Sequence, residues 1–130
     1  MNATPCLLHA AVHCDTQEHA QLFFSKILGL KLVKSFSLDT TLSSKIFAIS
    51  TPVDIQVFGN ECMQIEVFIH PLNYIASFTH LCLQVEDITI FIKRCKNQGL
   101  TPYQVQKGEK QLLFVRDFTG NLYEIKEEKK

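Results

Sequence analysis

Two apolar stretches of this chain are followed by the same series of features, and this repetition constrains the fold more than any single motif. Residues 7–13 read Leu-Leu-His-Ala-Ala-Val-His, and residues 78–85 read Phe-Thr-His-Leu-Cys-Leu-Gln-Val. Each stretch contains a histidine, His9 or His80, and is followed by an acidic residue, an amphipathic segment and a Gly-Leu pair. The chain therefore predicts one structural unit that is used twice.

The spacing of apolar residues predicts the same elements in both halves. Each apolar stretch is too short for a helix and is expected to form a strand, with His9 and His13 on one face. Asp15 is predicted to cap a helix at about residues 16–28, and Asp87 to cap a second helix. Alternating apolar residues predict further strands at 31–38, 45–50, 53–58, 62–69, 103–107, 111–116 and 121–126.

These elements make each half an approximate βαβββ unit. Because a single unit leaves one face of its sheet exposed, two units are expected to join into a curved mixed sheet. The predicted fold class is α+β, with two βαβββ modules in a single domain over residues 1–130. The first module is expected at about residues 5–70 and the second at about 78–127, with a linker near 70–77.

Composition and charge exclude several classes of function. The 13 basic and 13 acidic side chains give a formal net charge of zero, so no global field would recruit nucleic acid or a membrane surface. No apolar run approaches the ~20 residues of a membrane span, and the N-terminus lacks the basic segment of a signal peptide. The five cysteines are odd in number and form no C-x-x-C pair, which favours a reducing, cytoplasmic setting.

A histidine and a glutamate occupy matching places in the two halves. His9 and His80 lie on the first predicted strand of each half, and Glu66 and Glu124 lie on the last. A lone strand histidine is more often a core or rim residue than a ligand, and Glu124 taken alone could simply be solvated. If the halves pair by a pseudo-twofold axis, the four side chains converge. Two imidazoles and two carboxylates suit a divalent cation such as Zn²⁺, Ni²⁺, Co²⁺ or Mn²⁺.

Six motifs, taken in chain order, are similar to those of the vicinal oxygen chelate superfamily, and within it most like those of glyoxalase I. They are residues 7–12 (Leu-Leu-His-Ala-Ala-Val), 23–24 (Phe-Phe), 27–32 (Ile-Leu-Gly-Leu-Lys-Leu), 65–67 (Ile-Glu-Val), 79–87 (Thr-His-Leu-Cys-Leu-Gln-Val-Glu-Asp) and 114–125 (Phe-Val-Arg-Asp-Phe-Thr-Gly-Asn-Leu-Tyr-Glu-Ile). Each motif alone is weak, but the ordered set spans nearly the whole chain. The resemblance implies the glyoxalase fold and an enzyme that acts on a small-molecule substrate.

The resemblance also implies a site. It carries the four metal ligands of glyoxalase I onto His9, Glu66, His80 and Glu124. The implied chemistry is abstraction of a proton next to a carbonyl, with a metal-stabilised enediolate. Glu124 is implied as the first candidate base and Glu66 as the second, acting on the opposite hydrogen. A homodimer with ligands from both subunits is also implied.

Two positions depart from the pattern of the enzyme that uses glutathione. That enzyme is expected to have an arginine four residues after the first ligand and an asparagine four residues after the second. This chain has His13 and His70 at those positions, which argues against glutathione as a cofactor. The substrate pocket is predicted to contain these two histidines. Gln64, on the face of Glu66, and Lys107, in a loop that could close over an anion, are predicted to join them.

Three other interpretations remain open. A methylmalonyl-CoA epimerase-like isomerase resembles this layout, although such enzymes may carry Gln where Glu66 stands. A non-catalytic binding or resistance protein on the same fold would hold a ligand without turnover. A ring-cleaving dioxygenase would need Fe²⁺ held by three protein ligands, and Glu66 as a fourth ligand argues against it.

Overall fold

The fold is built from two modules with the same order of elements. The computed structural model describes residues 6–71 and 77–129, and no helix among them is long and apolar enough to cross a membrane. The first module comprises β1 Ala10–Cys14, α1 Gln17–Ala20 with its π-helical continuation Gln21–Ile27, β2 Lys31–Leu38, α2 Thr40–Phe47, β3 Val53–Gly59 and β4 Gln64–Ile69. The second comprises β5 His80–Val85, α3 Ile88–Asn97, β6 Tyr103–Lys107, β7 Lys110–Arg116 and β8 Leu122–Glu127.

Each module forms a four-stranded mixed sheet with the same topology. The strand orders are β1-β4-β3-β2 and β5-β8-β7-β6. In both sheets the first and last strands of the module pair in parallel, and the other neighbours are antiparallel. The predicted α+β class and the repeated module are therefore confirmed, and the mixed sheet is present as two four-stranded sheets.

One hydrophobic core joins the modules. The apolar faces of α1 with its continuation and of α3 pack into a single buried cluster with one face of each sheet. Phe23 and Tyr123 come from different modules, and their ring centroids are 4.8 Å apart. Phe24 also contacts Phe23 and stacks on Phe58. Because aromatic rings bury large apolar areas, these contacts stabilise the association of the two modules.

The predicted strand at residues 45–50 is wrong, because this segment contributes to helix α2. The Asp39 carboxylate accepts a hydrogen bond from the Leu42 backbone N–H at 2.9 Å, which caps the helix. Ser43, one helical turn after Asp39, is buried. The helix ends at Ala48, whose φ is 58°. The helical cap therefore outweighs the local alternation of apolar residues.

Two smaller predictions also need correction. Strand β1 begins at Ala10, so His9 lies just before the strand. The cap of α1 is Thr16, whose side chain accepts from the His19 N–H, while Asp15 bonds the His19 ring at 2.7 Å. Both residues offer capping oxygens, but the Asp15 carboxylate is bonded to the His19 ring and accepts from the Thr119 hydroxyl instead. Most of the predicted linker, residues 72–76, lies outside the described residues.

Candidate metal centre

His9 and Glu66 lie beside each other on the first module. The His9 Nε2 atom is 3.3 Å from Glu66 Oε1, and the two side chains are 47% and 20% exposed. Strands β1 and β4 pair in parallel with Ala11 opposite Glu66, so side chains of odd number on β1 share the face of Glu66. One imidazole nitrogen and one carboxylate oxygen therefore meet at the solvent-exposed side of this sheet.

His80 and Glu124 occupy the equivalent positions of the second module. Cys82 lies opposite Glu124 in the parallel pair of β5 and β8, and His80 precedes Cys82 by two residues on the same face. The His80 Nδ1 atom is 2.8 Å from the Phe78 carbonyl oxygen. Because a carbonyl only accepts, Nδ1 carries the proton and Nε2 keeps a lone pair that can bind a metal ion.

The Cys82 thiol lies on the same sheet face as His80 and Glu124. Its pKa is raised by burial and, to a smaller extent, by the negative charge of Glu124. The thiol therefore stays protonated near neutral pH and acts as a small neutral neighbour of the carboxylate. Cys82 shares the face of His80, as the alternation of the strand predicts.

The two His–Glu pairs do not form one cluster within a single chain. Across residues 6–71 and 77–129, no group of three or more His, Cys, Asp or Glu side chains is placed to hold a metal ion. Each pair still provides the nitrogen and oxygen donors that intermediate divalent cations accept. The donor chemistry of each pair therefore fits such a cation.

A separate cavity of about 620 Å³ lies between the modules. It is lined by His13 and His70 from the first module and by Arg116 and Asn121 from the second, with α2 contributing Phe47. None of the four candidate ligands is among its lining residues. The other two predicted pocket residues also lie elsewhere: Gln64 is exposed at the start of β4, and Lys107 is exposed at the end of β6.

Buried polar atoms surround this cavity. The His13 Nε2 and His70 Nδ1 atoms are buried and have no hydrogen-bond partner among the described residues. The second ring nitrogen of His70 is 2.9 Å from the Thr51 hydroxyl. Asn121 Nδ2 donates to the His13 backbone carbonyl at 2.7 Å and so joins β1 to the second module. Buried polar groups are usually paired, so two unpaired imidazole nitrogens mark this region as unusual.

The turn between β7 and β8 holds the second module against β1. Asp117 is only 7% exposed and accepts hydrogen bonds from the Tyr123 hydroxyl and from Asn121 Nδ2 at 2.8 and 2.9 Å. The backbone N–H groups of Thr119 and Asn121 also donate to this carboxylate. Burial raises the pKa of Asp117, and these hydrogen bonds oppose the rise.

Sequence reasoning missed three features of this cavity: α2, Arg116 and the role of Asn121. The capping residue Asp39 was a local signal for α2, because it precedes apolar residues four positions apart, Leu42 and Ile46. The positions of Arg116 and Asn121 depend on how the modules pack, and no local sequence pattern predicts that.

Comparison with known proteins supports the fold. The sequence matches no protein-family model and no curated protein. Among solved structures, the chain is similar to a glyoxalase family protein from Bacillus cereus, with 17% identity over 97% of this chain and 95% of that chain and a TM-score of 0.72. It is also similar to the fosfomycin resistance protein FosX from Listeria monocytogenes, with 13% identity over 98% and 96% and a TM-score of 0.72.

One further match contains a metal ion. A point mutant of the Listeria monocytogenes FosX, complexed with Mn(II) and 1S,2S-dihydroxypropylphosphonic acid, is 15% identical to this chain. The match covers 95% of this chain and 93% of that chain, with a TM-score of 0.73. The chain thus has the fold of these glyoxalase family and FosX structures, as its motifs predict.

Proposed function

We propose that this chain is a metal-dependent lyase or isomerase of the glyoxalase type, acting on a small molecule by proton abstraction next to a carbonyl. The observation that carries the proposal is the duplicated His–Glu arrangement. His9 and Glu66 approach to 3.3 Å, and His80 and Glu124 take the equivalent places in the second module. Two such pairs provide the two imidazoles and two carboxylates of a four-ligand divalent site.

The complete site is proposed to form in a homodimer. The first-module pair of one copy would face the second-module pair of the other, and a twofold axis would generate two identical sites. The absence of a third ligand beside either pair, among the residues described, supports this arrangement. His9 and Glu66 from one copy, with His80 and Glu124 from the other, would hold Zn²⁺, Ni²⁺, Co²⁺ or Mn²⁺.

The glutamates are proposed to move the proton. A bound divalent cation would act as a Lewis acid that polarises a substrate carbonyl, an effect of several kcal/mol. Glu124 would take the proton from the carbon next to that carbonyl and return it to the neighbouring carbon. Glu66 would act on the opposite hydrogen, and its partly exposed side chain is accessible for this role. General-base catalysis of this kind contributes ~10²–10⁴-fold.

The similarity to FosX favours a second candidate, a resistance protein that binds an antibiotic. In the FosX complex the protein holds Mn(II) together with a phosphonic acid. A protein of this kind that only sequesters its ligand would bind metal or ligand without converting hemithioacetals or acyl-CoA esters. Turnover of either substrate class therefore separates the two candidates.

Metal binding is the first test of the proposal. Purified protein stripped of metal is titrated with Ni²⁺, Zn²⁺, Co²⁺ or Mn²⁺, and metal content and melting temperature are measured. We expect about one ion per chain and a higher melting temperature, because a ligand that binds only the folded state stabilises it. His9→Ala and His80→Ala should both lose the ion, whereas the control His19→Gln should keep it. Absence of uptake by the wild type would refute the catalytic proposal.

A further inference from the structure

We propose that the cavity between the modules is a binding site for an amphipathic monoanion, a ligand with an apolar body and a carboxylate head. Its volume of about 620 Å³ falls within the range of small-molecule sites. Its walls include Phe47, Phe68 and Leu122, which provide an apolar surface for the body of such a ligand.

The charged and polar lining selects for an anion. Arg116, His13, His70 and Asn121 line the cavity, and no aspartate or glutamate is among the described residues of its lining. The Arg116 Nη1 group donates to the Gly120 carbonyl at 2.8 Å, which holds the guanidinium at the wall. A cavity with a fixed guanidinium and no carboxylate in this lining favours a negatively charged ligand.

The two unpaired imidazole nitrogens favour a ligand that accepts hydrogen bonds. When the Thr51 hydroxyl donates to His70 Nε2, the proton of that ring lies on Nδ1, which is then a buried donor without an acceptor among the described residues. His13 Nε2 is a second buried ring nitrogen without a hydrogen-bond partner among the described residues. A carboxylate seated against these rings offers the acceptor that the described part of the chain does not supply. Hydrogen bonds to an ionised acceptor are also stronger than neutral ones.

The cavity differs from the candidate metal centre in how it is assembled. Both modules of one chain build it, so it requires neither a second copy nor a metal ion. Ala11 lines the cavity, pairs with Glu66 across the sheet and follows His9 by two residues, so the start of β1 connects the cavity to the His9–Glu66 pair. His13 in the cavity and His9 in the pair are four residues apart, which corresponds to about 13 Å of extended chain. That the bound anion is also part of the substrate rests on the proposed function.

The test compares a carboxylic acid with its neutral counterpart. The probes are 4-phenylbutyrate and 4-phenyl-1-butanol, which share an apolar body, and binding to the metal-free full-length chain is measured by calorimetry. We expect the acid to bind at least about tenfold more tightly, because the guanidinium and imidazoles act on the charged head alone. Equal affinities, or no binding of either probe, would overturn the proposal.

Variants separate recognition of the head from the integrity of the cavity. Arg116→Met and His70→Leu should lower the ratio of acid to alcohol affinity, while continued binding of the alcohol shows that the cavity is intact. His19→Gln, outside the cavity, should leave both affinities unchanged. An unchanged ratio in Arg116→Met and His70→Leu would contradict the proposal.

The same measurements separate this inference from the proposed function. Acid binding by a protein that takes up no metal leaves the cavity site standing and removes the catalytic proposal. Metal uptake without acid binding leaves the catalytic proposal standing and removes the cavity site.

Discussion

The two modules share one topology and differ in what covers the sheet face that carries their glutamate. In the first module, α2 is inserted between β2 and β3, and its Phe47 ring packs edge-on against Phe68 at 5.1 Å, on the face of Glu66. In the second module, the tight turn at Gly108 connects the equivalent strands. There Tyr103 and Val105 remain 42% and 43% exposed on the face of Glu124.

This difference shows how one repeated unit can serve two purposes. The inserted helix converts part of the first sheet into the wall of a cavity. The second sheet keeps an open face with exposed apolar side chains, and we infer that a second copy of the chain covers it in the proposed dimer. Apolar surface of this kind is typical of the centre of a subunit interface.

The largest expected effect tests whether the modules share one core. Phe24 is fully buried and contacts Phe58 in its own module and Phe23, which in turn packs on Tyr123 of the other. Phe24→Ala should lower the free energy of unfolding by about 3–5 kcal/mol, in a single cooperative transition. Chemical denaturation measures this value. Phe36→Ala, at an exposed ring, is the control and should cost much less; two separate transitions would show that the modules fold independently.

The prediction of intermediate size compares helix α2, which is inserted in the first module, with helix α3 of the second. Asp39 caps α2 and Asp87 caps α3, each accepting a backbone N–H, at 2.9 and 3.0 Å respectively. Either residue changed to Ala should cost about 0.5–2 kcal/mol in unfolding free energy. Only Asp39→Ala should also weaken binding of 4-phenylbutyrate, because α2 forms a wall of the cavity. Equal loss of binding in both variants would mean that α2 has no particular role there.

The smallest expected effect is a pH dependence of the free energy of unfolding, which arises at the turn before the last strand of each module. Because burial raises the pKa of Asp117, its contribution to stability is full at acid pH and is lost as pH rises through the folded-state value. Between pH 4 and pH 7 the wild type should therefore lose stability relative to Asp117→Asn. Denaturation midpoints at each pH measure the difference, and a relative gain with pH would contradict the assignment.

The equivalent turn of the first module gives the control. Asn60 is exposed, and its Oδ1 accepts the backbone N–H groups of Cys62 and Met63. Hydrogen bonds of this kind favour an ionised carboxylate at an exposed position. Asn60→Asp should therefore gain stability relative to the wild type as pH rises over the same range, opposite in sign to the Asp117 effect.

Local sequence signals predicted the parts of the fold that depend on neighbouring residues. The Asp87 cap, the strands of the second module and the repeat itself are confirmed because each has its own periodicity or capping residue. Helix α2 was missed because residues 45–50 alternate like a strand, whereas its cap at Asp39 lies six residues earlier. The choice of Thr16 over Asp15 depended on adjacent side chains with nearly equal capping ability.

The candidate site was harder to predict than the fold. The sequence predicts His9, Glu66, His80 and Glu124 as metal ligands, and the repeat places them at equivalent positions of the two modules. The sequence does not show whether these residues meet in one chain or across two, because that depends on how the modules pack. The cavity also depends on module packing, since its walls come from both modules and Asn121, in the turn between β7 and β8, bonds to β1.

In the proposed dimer, one copy supplies His9 and Glu66 to each metal site and the other supplies His80 and Glu124. The most direct measurement is the metal content of two double variants, His9→Ala/Glu66→Ala and His80→Ala/Glu124→Ala, alone and after they are mixed under conditions that exchange subunits. Each variant alone should bind no ion. The mixture should recover about a quarter of the wild-type metal content, because half of the dimers are mixed and each has one complete site. A mixture that stays without metal, while the wild type binds it, would contradict the shared site.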